Sequence, residues 1–127
     1  MNNITTLLIL SLAISFYIYQ KKNINKNAIS VELLKSKILA NQNIGIIDVR
    51  TSREYNGPKG HIPQSISIPL SSLNLKLNEI KSKNFDELYV ICLSGVRSAS
   101  AVSILNKNGV KAQNVKGGIN AWNKIQS

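Results

Sequence analysis

Apolar runs of two kinds alternate between residues 28 and 127, and that alternation leaves few architectures open. Ile44-Gly45-Ile46-Ile47-Asp48-Val49 and Glu87-Leu88-Tyr89-Val90-Ile91-Cys92 are of strand length and apolar almost throughout, as strands covered on both faces are. Ser65-Ile66-Ser67-Ile68-Pro69 alternates and stops at proline, which suits a short strand, and Gln113 to Val115 reads as the last one. Between these runs the spacing turns helical. Ser30 can cap a helix carrying Leu33, Leu34, Ile38 and Leu39 on one face. Leu70, Leu73, Leu77 and Ile80 also recur at helical spacing. A helix from Ser98 to Asn108 turns Ala99, Val102 and Leu105 inward and stops at Gly109. Trp122 falls in a final helix after Gly117-Gly118. Strands separated by helices predict an α/β domain, a parallel sheet with helices on both faces.

Residues 1–20 are of another kind, without a single charged side chain. As a helix they would span roughly 30 Å, the thickness of a bilayer's hydrocarbon. Tyr17 and Tyr19 stand where an aromatic belt would lie, and Lys21, Lys22 and Lys26 follow at once. A cleavable signal peptide carries its positive charge before the apolar run, whereas here the charge comes after it. A core helix would also be apolar, but the terminal position and one-sided lysine flank favour an anchor. The expected organisation is a transmembrane anchor over residues 1–20, a linker over 21–27 and one domain over 28–127. By the positive-inside rule a single-pass membrane protein with its domain facing the cytoplasm is expected.

Composition narrows the chemistry. Sixteen Lys and Arg against six Asp and Glu give a net charge of +10, which favours small oxyanions, acidic lipid headgroups or acidic proteins. The basic residues are mostly scattered singly and aromatic residues are few, so no nucleic-acid partner is expected. With one Cys and one His, the chain cannot form an internal disulfide or a multi-cysteine metal site. No metal and no cofactor is expected.

The one cysteine, Cys92, ends the most apolar strand and opens the segment Cys92-Leu93-Ser94-Gly95-Val96-Arg97-Ser98, which leads into a helix. In an open parallel sheet, ligands bind beyond the carboxyl ends of the strands. Gly95 allows a tight loop, whose N–H groups and following helix turn can converge above the sulfur as an anion cradle. Arg97 adds a permanent cation. The same field lowers the thiol pKa of Cys92 and favours the reactive thiolate. A lone cysteine is commonly an inert core residue. Its place between strand end, glycine, arginine and helix start favours a nucleophile for an anionic, electrophilic substrate.

Three segments together resemble the single-domain rhodaneses. They are Ile46-Ile47-Asp48-Val49-Arg50 with Arg53-Glu54-Tyr55, Gly60-His61-Ile62-Pro63 and Ile66-Ser67-Ile68-Pro69; then Cys92 through Ser98; then Val115-Lys116-Gly117-Gly118-Ile119-Asn120-Ala121-Trp122. The resemblance covers residues 28–127 and implies a five-stranded parallel sheet, with Ala28-Ile29-Ser30 as the extra strand. It also implies that Cys92 is catalytic, taking a sulfane sulfur from thiosulfate or a persulfide and passing it to cyanide, a small thiol or a protein thiol. Leu93, Ser94, Gly95, Val96, Arg97 and Ser98 would bind the substrate, with N–H donors around the persulfide and Arg97 on the anionic donor. Four residues separate Cys92 from Arg97. Related phosphatases and arsenate reductases use a loop one residue longer, so this length favours sulfur transfer. In such a family His61 is structural rather than a general base, and Asp48, Arg50 and Glu54 organise loops. Trp122 reads as core packing, and Lys76, Lys81 and Lys83 as a solvated helix face. A persulfide carrier serving a partner protein, or a membrane-tethered interaction module, is the alternative to an enzyme.

Overall fold

The computed structural model describes residues 2–25 and 27–126. Met1, Ser127 and Lys26, the third lysine of the expected flank, lie outside the described residues. The elements run α1 (Asn3–Asn25), α2 (Val31–Leu39), β1 (Ile44–Asp48), α3 (Ser52–Tyr55), β2 (Ile66–Ser67), a 3₁₀ segment (Leu70–Lys76), α4 (Leu77–Ser82), β3 (Glu87–Ile91), α5 (Val96–Lys107), β4 (Gln113–Asn114) and α6 (Gly118–Gln126). Helix α1 continues past Lys21 and Lys22 into the segment expected as linker. Its stretch Asn3–Lys22 is long and apolar enough to cross a membrane, and its side chains are exposed throughout.

All strands are parallel, in the order β2-β1-β3-β4. The full pairing of Ile44–Asp48 with Glu87–Ile91 forms the centre. Side chains alternate between the two faces of these strands. Ile44, Ile46, Tyr89 and Ile91 point to one face and pack with Leu34, Ile119 and Trp122 of α2 and α6. Ile47, Leu88, Val90 and Cys92 point to the other, with Leu73, Ile80, Ala101 and Leu105 from the 3₁₀ segment, α4 and α5. Gly45 is required on this second face, because a Cβ there would overlap the ring of Phe85.

The expected fifth strand is absent among the described residues. Ala28-Ile29-Ser30 contributes one parallel bridge, Ile29 to Val115, in which Ile29 N–H donates to Asn114 O at 2.9 Å and Lys116 N–H to Ile29 O at 2.8 Å. The space for pairing is too short. Asn27 has φ 63° and Ser30 already caps α2, its Oγ accepting from Leu33 N–H at 3.2 Å, so only Ile29 is free to pair along the edge.

Two helix faces also differ from expectation. Helix α2 buries Val31 and Leu34 while Leu33 and Leu39 are exposed. Helix α5 starts at Val96, earlier than expected, and buries Ser98, Ala101 and Leu105, leaving Ala99 and Val102 half-buried. The early start places Ser98 one turn into the helix and facing the sheet. Gly109, at φ 78°, follows the helix end as expected.

A buried ion pair closes the carboxyl end of β1. Asp48 and Arg50 are both fully buried, with Arg50 donating from Nη2 to Asp48 Oδ2 at 2.8 Å and from Nε to Oδ1 at 3.0 Å. Arg50 Nη2 also donates to Gly60 O at 2.8 Å, which ties the loop after α3 to the strand. Removing one partner of such a pair leaves an uncompensated buried charge. Arg50→Ala is therefore expected to destabilise the domain by about 3–5 kcal/mol in urea unfolding. Truncating the exposed Arg53 should shift stability by less than about 0.5 kcal/mol.

Candidate active site

Cys92 stands one residue beyond β3, at the carboxyl end of the sheet, with its side chain fully buried. The loop that follows is closed by Gly95, whose φ of 113° is a conformation that side chains rarely tolerate. That turn brings the Gly95 N–H back to Cys92 Sγ at 3.1 Å. Ser98 Oγ lies 3.2 Å from the same sulfur. Helix α5 points its amino end at the loop, so its fixed partial charge favours an anion there.

The loop is also held from behind. Ile119 N–H donates to Cys92 O at 2.9 Å and Asn120 N–H to Leu93 O at 3.1 Å, both from the first turn of α6. Gly118, at φ 57°, sits so close that a Cβ would overlap the carbonyl oxygens of Cys92 and Leu93. Gly117-Gly118 is thus the contact that lets α6 clasp the cysteine loop.

Burial pushes the Cys92 thiol up, but hydrogen bonds from Ser98 Oγ and from the N–H groups of Ser98, Gly95 and Ser94 outweigh it. The net effect is a thiol below its ordinary value. Ser98 has only one proton to give. With Cys92 as a thiol, Ser98 donates to Asn114 Oδ1, 2.5 Å away; with Cys92 as a thiolate, that proton can turn to sulfur. Asn114 is fixed in turn, because its Nδ2 donates to Gly95 O at 3.0 Å. The β3–β4 register, Val90 opposite Asn114, carries this side chain to the loop. The amino-acid pattern offered one signal for Asn114, a polar residue at the end of a buried strand.

Of the residues expected around a substrate, Ser94, Gly95 and Ser98 converge on the sulfur. Leu93 instead borders a neighbouring cleft, and Val96 opens the helix with its side chain exposed. Arg97 is engaged elsewhere. Its Nη1 and Nη2 donate to Glu54 Oε1 and Oε2 at 2.6 and 2.9 Å, a bidentate pair that joins α5 to α3. Hydrogen bonds from Arg97, helped by Thr51, hold the Glu54 carboxyl at about 2 against the opposing effect of burial. His61 lies outside this network: its Nδ1–H donates to Tyr55 O at 2.8 Å and its ring stacks on Tyr55 at 3.7 Å.

The sheet and site define a parallel α/β domain covered on both faces, with a hydrogen-bonded cysteine held between strand and helix at the sheet's carboxyl end. The particular family follows from comparison. A Rhodanese-like domain model matches residues 30–125, and the chain belongs to that family. The putative sulfurtransferase YtwF of Bacillus subtilis (strain 168) is 38% identical over 95 residues, covering 74% of this chain and 87% of YtwF. The putative sulfur carrier protein YrkF of the same organism is 39% identical over 95 residues, again 74% of this chain. The match spans only 49% of YrkF, about half its length. Among solved structures, SSP1007 of Staphylococcus saprophyticus superposes with a TM-score of 0.68 at 41% identity, covering 76% of this chain and 92% of that protein.

Two outcomes follow from the geometry. Replacing Ser98 with Ala removes a hydrogen bond to the charged sulfur, so alkylation of Cys92 by iodoacetamide at neutral pH should slow by about tenfold. The pH–rate profile of alkylation would move to higher pH. Glu54 has its folded value depressed from 4.5 to about 2, so its contribution to stability is fully present above about pH 4.5 and is lost as pH falls toward 2. Urea midpoints across that window should therefore fall less steeply in Glu54→Gln than in the native chain.

Proposed function

We propose that this chain is a sulfurtransferase in which Cys92 carries the sulfur as a persulfide. The observation that carries the reading is the sulfur's own environment: a buried thiol bonded by Gly95 N–H and Ser98, at a helix amino end. In the first half-reaction the Cys92 thiolate attacks the outer sulfur of thiosulfate or of a persulfide. The donor's S–S bond breaks, sulfite or a thiolate leaves with the electron pair, and Cys92 holds the transferred sulfur. The cradle's N–H groups then face the terminal anionic sulfur of the persulfide. In the second half-reaction a thiol or cyanide attacks that sulfur, and the Cys92 thiolate leaves. Its lowered pKa makes it a good leaving group.

A second reading, a persulfide carrier that delivers sulfur to a partner protein, is supported by the 39% identity to a putative sulfur carrier protein. Slow turnover with free thiosulfate together with fast loss to one protein acceptor would select it.

We also propose that residues 1–20 anchor the chain in a membrane, with the domain on the cytoplasmic side. The apolar side chains of α1 are spread round its axis rather than gathered on one face, and none of them is covered by the domain. A helix apolar all round is either buried or membrane-spanning. Fractionation of the full chain should place it with membranes and release it only with detergent. Recovery of the uncleaved chain in the aqueous phase would overturn the anchor.

Incubation of the detergent-solubilised chain with thiosulfate or an alkyl persulfide, followed by intact-mass measurement, should show a gain of one sulfur atom that cyanide or a thiol removes. Cys92→Ser should gain none while keeping its fold. Labelling of that variant at the native rate would remove Cys92 from the mechanism.

A further inference from the structure

With sulfur transfer at Cys92 taken from the reading above, the choice of donor turns on charge. Thiosulfate is a small dianion, and a site that selects it should offer an uncommitted cation beside the nucleophile. Arg97, in the helix turn next to the loop, is already matched by Glu54 through both terminal nitrogens. Glu54 is not free to swing away. It is the third residue of a capping box, its Oε1 accepting from Thr51 N–H at 3.3 Å while Thr51 Oγ1 accepts from Glu54 N–H at 3.2 Å. Arg50 is committed to the buried Asp48. The backbone donors of the loop suit one anionic sulfur, and the guanidinium groups of Arg97 and Arg50 are each held by a carboxylate.

Beside the loop lies a cleft of about 340 Å³, bordered by Arg50, Arg53, Glu54, Gly57, Pro58, Lys59 and Leu93. Its volume falls at the lower end of the ~300–1,000 Å³ typical of small-ligand clefts. The wall is almost wholly carbon, which fits an organic body. Arg53 and Lys59 are exposed there and can meet an anionic group, Lys59 Nζ also donating to Asn120 Oδ1 at 3.3 Å.

We propose that Glu54 is a specificity-determining residue which, by holding Arg97, sets this site against free thiosulfate and toward a small organic persulfide seated in the cleft beside Leu93. In that step the Cys92 thiolate attacks the terminal sulfur of R–S–S⁻. The donor's S–S bond breaks, R–S⁻ leaves with the electron pair, and one persulfide replaces another with no oxidant or reductant consumed.

The test compares kcat/KM for Cys92 sulfur loading from thiosulfate and from glutathione persulfide, using the full chain in detergent. Glu54→Gln keeps a residue that serves a capping box at that position but removes the charge. The native chain should prefer the persulfide, and Glu54→Gln should raise the ratio of thiosulfate to persulfide use by about tenfold, through a lower KM for thiosulfate. A purely structural role would lower both rates together and leave the ratio unchanged, which would overturn the proposal; a fall in the ratio would do the same. Leu93→Ala tests the cleft independently and should lower kcat/KM for the persulfide more than for thiosulfate, whereas an equal effect on both donors would overturn the seating beside Leu93. Failure of the native chain to gain sulfur from either donor would overturn the underlying sulfur-transfer reading. A gain with an unaltered ratio in Glu54→Gln would overturn only the role of Glu54.

Discussion

A buried sulfur can carry charge only where fixed dipoles offset the loss of water, and the segment from Cys92 to Ser98 supplies them. Burial alone would favour the neutral thiol. The opposing effect comes from N–H groups of Ser94, Gly95 and Ser98 and from the Ser98 hydroxyl, all within seven residues of chain. They converge because β3 ends and α5 begins with only a short turn between, and Gly95 supplies the one backbone conformation that closes it. The first turn of α6 then pins the loop through the carbonyls of Cys92 and Leu93, which requires Gly118 to have no side chain. Two glycines far apart in sequence therefore serve one sulfur atom.

The second support is electrostatic and runs between the ends of β1 and β3. Asp48 orients Arg50, Arg50 holds the loop at Gly60, and the capping box at Thr51 presents Glu54 to Arg97. Each link is local except the last, which crosses from α3 to α5. His61, stacked on Tyr55 and bonded to its carbonyl, stiffens the same segment. The histidine's chemistry is thus spent on shape, and the loop it stiffens forms one side of the cleft beside Leu93.

Much of this was legible in the amino-acid order. Apolar runs of strand length marked β1 and β3, Ser30 marked the start of α2, and the cysteine–glycine–arginine segment marked the turn from β3 into α5. The failures share a cause, because each depended on tertiary geometry. Leu33 and Leu39 look as inward-facing as Leu34 until the angle of α2 over the sheet is known. Ala28-Ile29-Ser30 has room for only one bridge, since φ at Asn27 and the cap at Ser30 bracket it. Arg97 reads from its loop as an anion clamp; only the approach of α3, 43 positions earlier in the chain, reveals that its guanidinium is taken. Asn114 escaped notice for the same reason, as its partners lie in a different element.

The cysteine count adds a constraint that geometry alone does not. Cys92 is the one cysteine of these 127 residues, so a persulfide on it, as proposed, could not be resolved into a disulfide inside the domain. On the proposed reading, release would need a nucleophile from outside these residues that reaches a sulfur whose parent side chain is buried. The transferred atom would, on that reading, extend the side chain by one bond, with its outer sulfur facing the loop's N–H groups. A persulfide held this way is shielded at its inner sulfur and open at its outer one, so attack at the outer sulfur transfers it, whereas attack at the inner one would leave a mixed disulfide. On the proposed reading, the burial of Cys92 would direct an incoming thiol to the atom that is to be moved.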